Sequence, residues 1–156
     1  MEVLKININN DFTEIMNHTH LWNWHPDWDV VQKIYNAFPE SYSVLTPFAF
    51  SYLEELIRST TSEYGIQIYD DFGNPKKRKV GMALIRLAID ENKDRNSELV
   101  SLLEKMKTYY QHSQPIDKGD NRNSVAHGIM HSRFWEKTSF ESLIHDISLI
   151  SKHAGF

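Results

Sequence analysis

The chain contains no cysteine. That removes disulfides, thiolate metal ligands and cysteine nucleophiles together, and it suits a reducing compartment, so a cytoplasmic setting is the expectation. Strong charge of one sign is missing too. A net charge of −4 and an isoelectric point near 6.0 give no general attraction for nucleic acid, so contact with a polyanion has to come from a local basic patch. Long apolar runs are absent: "MEVLKININNDF" has no basic segment followed by an apolar one, and later apolar stretches are cut by charge well short of a membrane span. A soluble, unprocessed protein with no membrane partner is expected. No internal repeat, low-complexity tract, Gly-rich phosphate loop or Ser-His-Asp ordering stands out.

With 156 residues, 40% hydrophobic and 12% aromatic, the chain can bury one sizeable core and is too short for two ordinary domains. Residues 1–156 are therefore taken as a single domain. Its first 27 residues read as an irregular arm: "VLKINI" suits a short strand, and "NHTHLWNWHPDWD" is dense in His, Trp and Asn with a proline after His25. From there the periodicity is helical. Val30, Val31, Ile34, Tyr35 and Phe38 recur at three-to-four spacing behind a cap at Asp27 or Asp29 and stop at Pro39. Phe48, Tyr52, Leu53, Leu56 and Ile57 form the stripe of a long helix, with Pro47 in its first turn and Gly65 as its stop. Residues 66–80 read as an exposed hairpin-like insertion ending in the basic run Lys76, Lys77, Arg78 and Lys79. "MALIRLAI" and "SELVSLLEKMKTYYQ", the latter capped by Ser97, give two more helices. "SQPIDKGD" breaks the pattern, Asp120 caps a helix running to Phe134, and Thr138 or Ser139 with Glu141 caps the last one. The fold class expected is all-α, a helical bundle of five to six helices.

The helix expected from Asp120 to Phe134 carries the most unusual residues. On a wheel with Arg122 at zero and about 100° per residue, Val125, Ala126, Ile129, Met130 and Phe134 make the core-facing arc. Asn123, His127 and His131 line its edge, and Gly128 faces away, open to close approach. Histidines bordering an apolar face suit a site at a helix–helix or subunit interface, and they equally suit hydrogen-bonded packing residues.

The wording "RNSVAHG", Arg122 to Gly128, resembles the signature of the HEPN superfamily, small helical domains named from higher eukaryotes and prokaryotes nucleotide-binding proteins. In it an Arg is followed by a polar residue, a few more residues and a His near the start of a late helix. Arg122 alone among the arginines has a His at the matching spacing. The resemblance implies a metal-independent endoribonuclease acting as a homodimer, with Arg122, Asn123 and His127 catalytic and no cofactor, in bacterial defence or a toxin–antitoxin pair. The chemistry is compatible: cutting RNA without metal needs a base, an acid and a cation beside the phosphate. An imidazole supplies the first two near neutral pH, and a guanidinium fork supplies the third. Arg122 and His127 lie roughly 140° apart on one helix, so aiming both at one phosphate calls for pairing of two copies, as the resemblance also implies, or for an Arg in a frayed first turn.

Other clusters stay open. His131 is a second proton carrier, half of a His-x-x-x-His metal pair with His127, or, as favoured, a support of the cleft. His18, His20, His25, Asp27 and Asp29 could ligate zinc, but they match no known spacing, and an aromatic lid or packing arm is preferred. Lys76 to Lys79 is either a solvated loop or the holder of the RNA backbone. The competing function is a catalytically inactive helical module that binds a partner, such as a nucleotidyltransferase-type protein. An antitoxin or other regulatory protein is a possible partner of the enzyme.

Overall fold

A computed structural model describes residues 7–19 and 22–156. Among them the chain forms seven α-helices and three short 3-10 turns: α1 (Ile8–His18), α2 (Trp24–Ala37), α3 (Tyr42–Ser59), α4 (Gly81–Asn92), α5 (Ser97–Met106), α6 (Arg122–His127) and α7 (Lys137–Ser151). The all-α expectation holds, and the buried apolar side chains make one cluster.

The expected irregular arm is instead largely helical. Asn7 caps α1 by accepting from the Asn10 amide, and Phe12 and Ile15 face inward. Asp11 lies on the same inward face, which is tolerable because it accepts from Ser148 Oγ at 2.9 Å and pairs with His145 Nδ1 at 3.1 Å, tying α1 to α7. The strand expected over 3–8 lies mostly outside the described residues, and its last residue opens α1. α2 begins before Asp27 and Asp29, so neither is its cap; Pro26 fits because it falls in the first turn, where amides have no intrahelical acceptor. α2 buries Trp28, Val31 and Tyr35 and leaves Val30, Ile34 and Phe38 exposed. A surface helix packs along one side only, and the side that meets Phe12 and Phe48 carries Trp28.

α3 is the central helix, with Tyr52, Leu53, Leu56 and Ile57 all fully buried, each contributing roughly 1.5–3 kcal/mol relative to exposure. It starts earlier than the sequence pattern suggests, so Pro47 lies beyond its first turn, at an exposed position on the outer side of the helix. It stops at Ser59 rather than Gly65, because the Thr60 and Thr61 hydroxyls turn back onto the carbonyls of Ile57 and Arg58 at 2.7 and 2.8 Å. Residues 66–80 form the expected hairpin-like insertion, held by a single bridge between Tyr69 and Pro75 and by Asp70 accepting from the Phe72 and Asn74 amides. Asn96, not Ser97, caps α5. α7 starts at Lys137, a residue before the expected caps, and Glu141 accepts from Tyr35 Oη at 2.7 Å instead of closing a capping box.

The helix expected from Asp120 to Phe134 is six residues long. Asn121, not Asp120, caps it by accepting from the Ser124 amide, and Gly128 ends it in the left-handed region at φ 62°. The amides of Gly128 and Ile129 both turn back to the Ser124 carbonyl. Val125 is buried, whereas Ala126, Ile129 and Phe134 are exposed, so the expected apolar arc stops being one face after a turn and a half. The loop before α6 passes so close to Trp135 that a Cβ at Gly119 would lie 2.8 Å from the Trp135 Cβ.

Candidate functional site

α6 packs against α3, and that contact positions Arg122. Its Nη2 lies 2.8 Å from Glu54 Oε2, while Nη1 donates to Asn123 Oδ1 at 3.3 Å. Glu54, nearly buried, also accepts from the Gly81 amide at 3.2 Å and has Arg58 Nη2 at 3.9 Å. Arg58 in turn donates to Glu55 at 3.0 Å and to the Lys79 carbonyl at 2.9 Å. Two carboxylates and two guanidiniums thus alternate across α3, α6 and the end of the insertion, an arrangement that keeps each nearly buried charge paired. Tyr110 senses the same group: burial first, then the Glu54 carboxylate, push its phenol pKa up, so it stays neutral.

These residues border an open cleft of about 530 Å³ whose walls include Trp24, Phe50, Glu54, Arg58, Val80 and Arg122. Val80 directly follows the basic run. The insertion that carries Lys76 to Lys79 therefore ends, and the helix that carries Arg122 begins, at one cleft, although the two are more than forty residues apart in sequence.

Within the basic run the four cations are not equivalent. Arg78 donates to the Ile66 carbonyl at 3.0 Å, and Lys79 engages Glu63 through both its amide and its ammonium group, at 3.0 and 3.7 Å. Lys76 and Lys77 are exposed, and their ammonium groups have no partner among the described residues.

Asn123 belongs to the support of α6: its amide donates to the Gln111 carbonyl at 3.3 Å, beside the bond of 2.9 Å from Asn121 to the same carbonyl. His127, the last residue of α6, is exposed, and its ring makes no hydrogen bond or ion pair to another described residue. It does not line the cleft that holds Arg122. His131 is not one turn further along the same helix. The break at Gly128 removes that relation, and its Nδ1 accepts from the Arg133 amide at 3.2 Å, capping a 3-10 turn. The helical His-x-x-x-His pair is thereby corrected. Gly128 is a helix stop rather than a point of close approach, since nothing lies within 4 Å of where its Cβ would be.

The His- and Trp-rich arm behaves as packing. Trp24 and Trp28 meet Phe48 and Tyr52 edge-on, His25 bonds the Met16 carbonyl at 3.1 Å, His18 pairs with Glu14, and Asp29 pairs with Lys33. His20 lies outside the described residues. Among the described residues no group of three or more His, Asp or Glu side chains is placed to hold a metal ion, and no helix is long and apolar enough to cross a membrane.

Glu54 and Arg58 were not singled out by sequence reasoning, yet a signal exists. In "FAFSYLEELIRS" they stand four and eight residues after Phe50, which puts two opposite charges on an inward-facing row of an otherwise apolar helix. No protein-family model, no curated protein and no solved structure matches this chain significantly.

Proposed function

We propose that the protein is a metal-independent endoribonuclease of HEPN type that cuts single-stranded RNA as a homodimer. The observation that carries the reading is the shared cleft: the motif's Arg122 lines it and so does Val80, the residue that directly follows the basic run, so one RNA strand can meet both. Lys76 and Lys77 attract and track the backbone as point charges, and Arg122, held in place by Glu54, meets the phosphate that reacts.

His127 carries the proton. An imidazole takes the proton of the 2′-hydroxyl, the 2′-oxygen bonds to phosphorus, the bond to the 5′-oxygen breaks, and that oxygen leaves with a proton from an imidazole. The products are a 2′,3′-cyclic phosphate and a 5′-hydroxyl. Because His127 is exposed and outside the cleft of its own Arg122, the active unit pairs Arg122 of one copy with the histidine of another. Ile129 and Phe134, about half exposed on either side of His131, supply apolar surface for that contact. The setting that goes with this reading is the cytoplasm of a bacterium, in defence or beside an antitoxin.

One observation favours the second reading, an inactive module that binds a partner protein: Arg122 already has a carboxylate partner at 2.8 Å, as a purely structural arginine would. The test is cleavage of single-stranded RNA in EDTA by the wild type and by His127→Ala. The enzyme reading expects cyclic-phosphate ends from the wild type and none from the variant, with the helical signal unchanged because His127 is exposed. Cleavage that EDTA abolishes, or that survives the substitution, contradicts it.

A further inference from the structure

Holding a phosphate requires only the guanidinium and the loop cations, yet the cleft beside Arg122 has more. Trp24, Phe50, Val125 and Ala126 give it apolar walls, and Ser51 and Glu55 give it polar groups. A sugar–phosphate chain has no use for an apolar wall. An unpaired base has use for all of these features: a π surface to lie against, and edge groups that hydrogen-bond. Trp24, half-buried and part of the cleft wall, offers such a surface. The volume, about 530 Å³, falls in the usual range of small-ligand sites, roughly 300–1,000 Å³.

The polar side of the cleft is selective in sign. Glu55 Oε2 receives Arg58 Nη1 at 3.0 Å, and Oε1 has no partner among the described residues. A carboxylate oxygen can only accept. It therefore suits the exocyclic amino groups of adenine, cytosine and guanine, and suits uracil less, because the one donor of uracil, N3–H, is flanked by two carbonyl oxygens that repel a carboxylate. We propose that this cleft is a subsite for one unpaired base of the RNA, next to the phosphate at Arg122, and that Glu55 makes it prefer amino-bearing bases over uracil. The inference rests on the ribonuclease reading for its choice of ligand but not for its readout.

The test is equilibrium binding, by calorimetry on the full chain, of the 3′-monophosphates of adenosine, cytidine, guanosine and uridine, with inorganic phosphate alongside. The expected result is that the three amino-bearing nucleotides bind about tenfold or more tighter than the uridine nucleotide, the scale of one well-placed edge contact. Glu55→Gln, which supplies a donor as well as an acceptor, should shrink that gap. Ser51→Trp, at an exposed position on the rim, should weaken all four nucleotides and leave phosphate binding as it was, with melting checked to show that the fold is intact. Equal binding of all four nucleotides, or no effect of Ser51→Trp, overturns the subsite. The two claims separate cleanly. Selective nucleotide binding without RNA cleavage keeps the subsite and removes the nuclease, whereas cleavage without base preference at the cut site removes the subsite and keeps the nuclease.

Discussion

Glu54 serves three elements at once: Arg122 on α6, Arg58 on its own helix and the Gly81 amide at the start of α4. Replacing it by Gln keeps the shape and removes the charge that the two guanidiniums face. Glu54→Gln should cost roughly 1–3 kcal/mol of stability, the scale for leaving nearly buried polar groups badly paired. Arg122→Ala should cost less, because Arg122 is more exposed and Glu54 keeps the Gly81 amide and its ion pair with Arg58. Urea denaturation of both variants checks the order, and a Glu54→Gln protein as stable as wild type would remove the carboxylate from the account. At this scale the sequence was half legible. Arg122, Asn123 and His127 are visible as a motif, but a motif states which residues occur together and not which way they point. Only the packing of α6 on α3 turns Arg122 toward Glu54 and leaves His127 outside.

The helices themselves follow from patterns of three and four wherever the apolar stripe is strong, as in α3, α5 and α7. Two helices depart from their sequence pattern for physical reasons. α1 carries a stripe at helical spacing, Ile8, Phe12, Ile15 and Met16, but Asp11 stands on its buried face with partners on α7, and the polar residues around it mask the pattern. α6 is shorter than its sequence pattern because apolar spacing continues past Gly128, while the glycine adopts a conformation that stops the helix. Glycine substitutions probe this directly. Gly128→Ala meets open space and should cost about 1–2 kcal/mol, the penalty of a left-handed conformation alone. Gly119→Ala adds to a similar backbone strain a Cβ 2.8 Å from the Trp135 Cβ, so it should cost clearly more, read as a lower thermal midpoint. Equal midpoints for the two variants would show that the loop before α6 yields easily and does not hold the helix.

For the molecule as a whole, the proposed ribonuclease function would have to draw RNA to a protein of net charge −4 through a few cations. Arg78 and Lys79 are committed to the protein's own groups, so Lys76 and Lys77 are the ones available. Replacing both by Gln should lower the salt dependence of single-stranded RNA binding by about 1.4 in the logarithmic slope, two phosphate contacts' worth, without changing the melting curve. An unchanged slope would make the run a solvated loop. The central claim, that Arg122 of one copy works with His127 of another, has a direct test in mixing two inactive variants. Arg122→Ala and His127→Ala proteins should each fail to cut RNA. Once unfolded and refolded together, half the dimers are mixed and each mixed dimer has one of its two composite sites intact, so about a quarter of wild-type cleavage should return. A mixture as inactive as its components, from a wild type that does cut RNA, would place both groups within one chain, and a wild type that cuts no RNA would contradict the account outright.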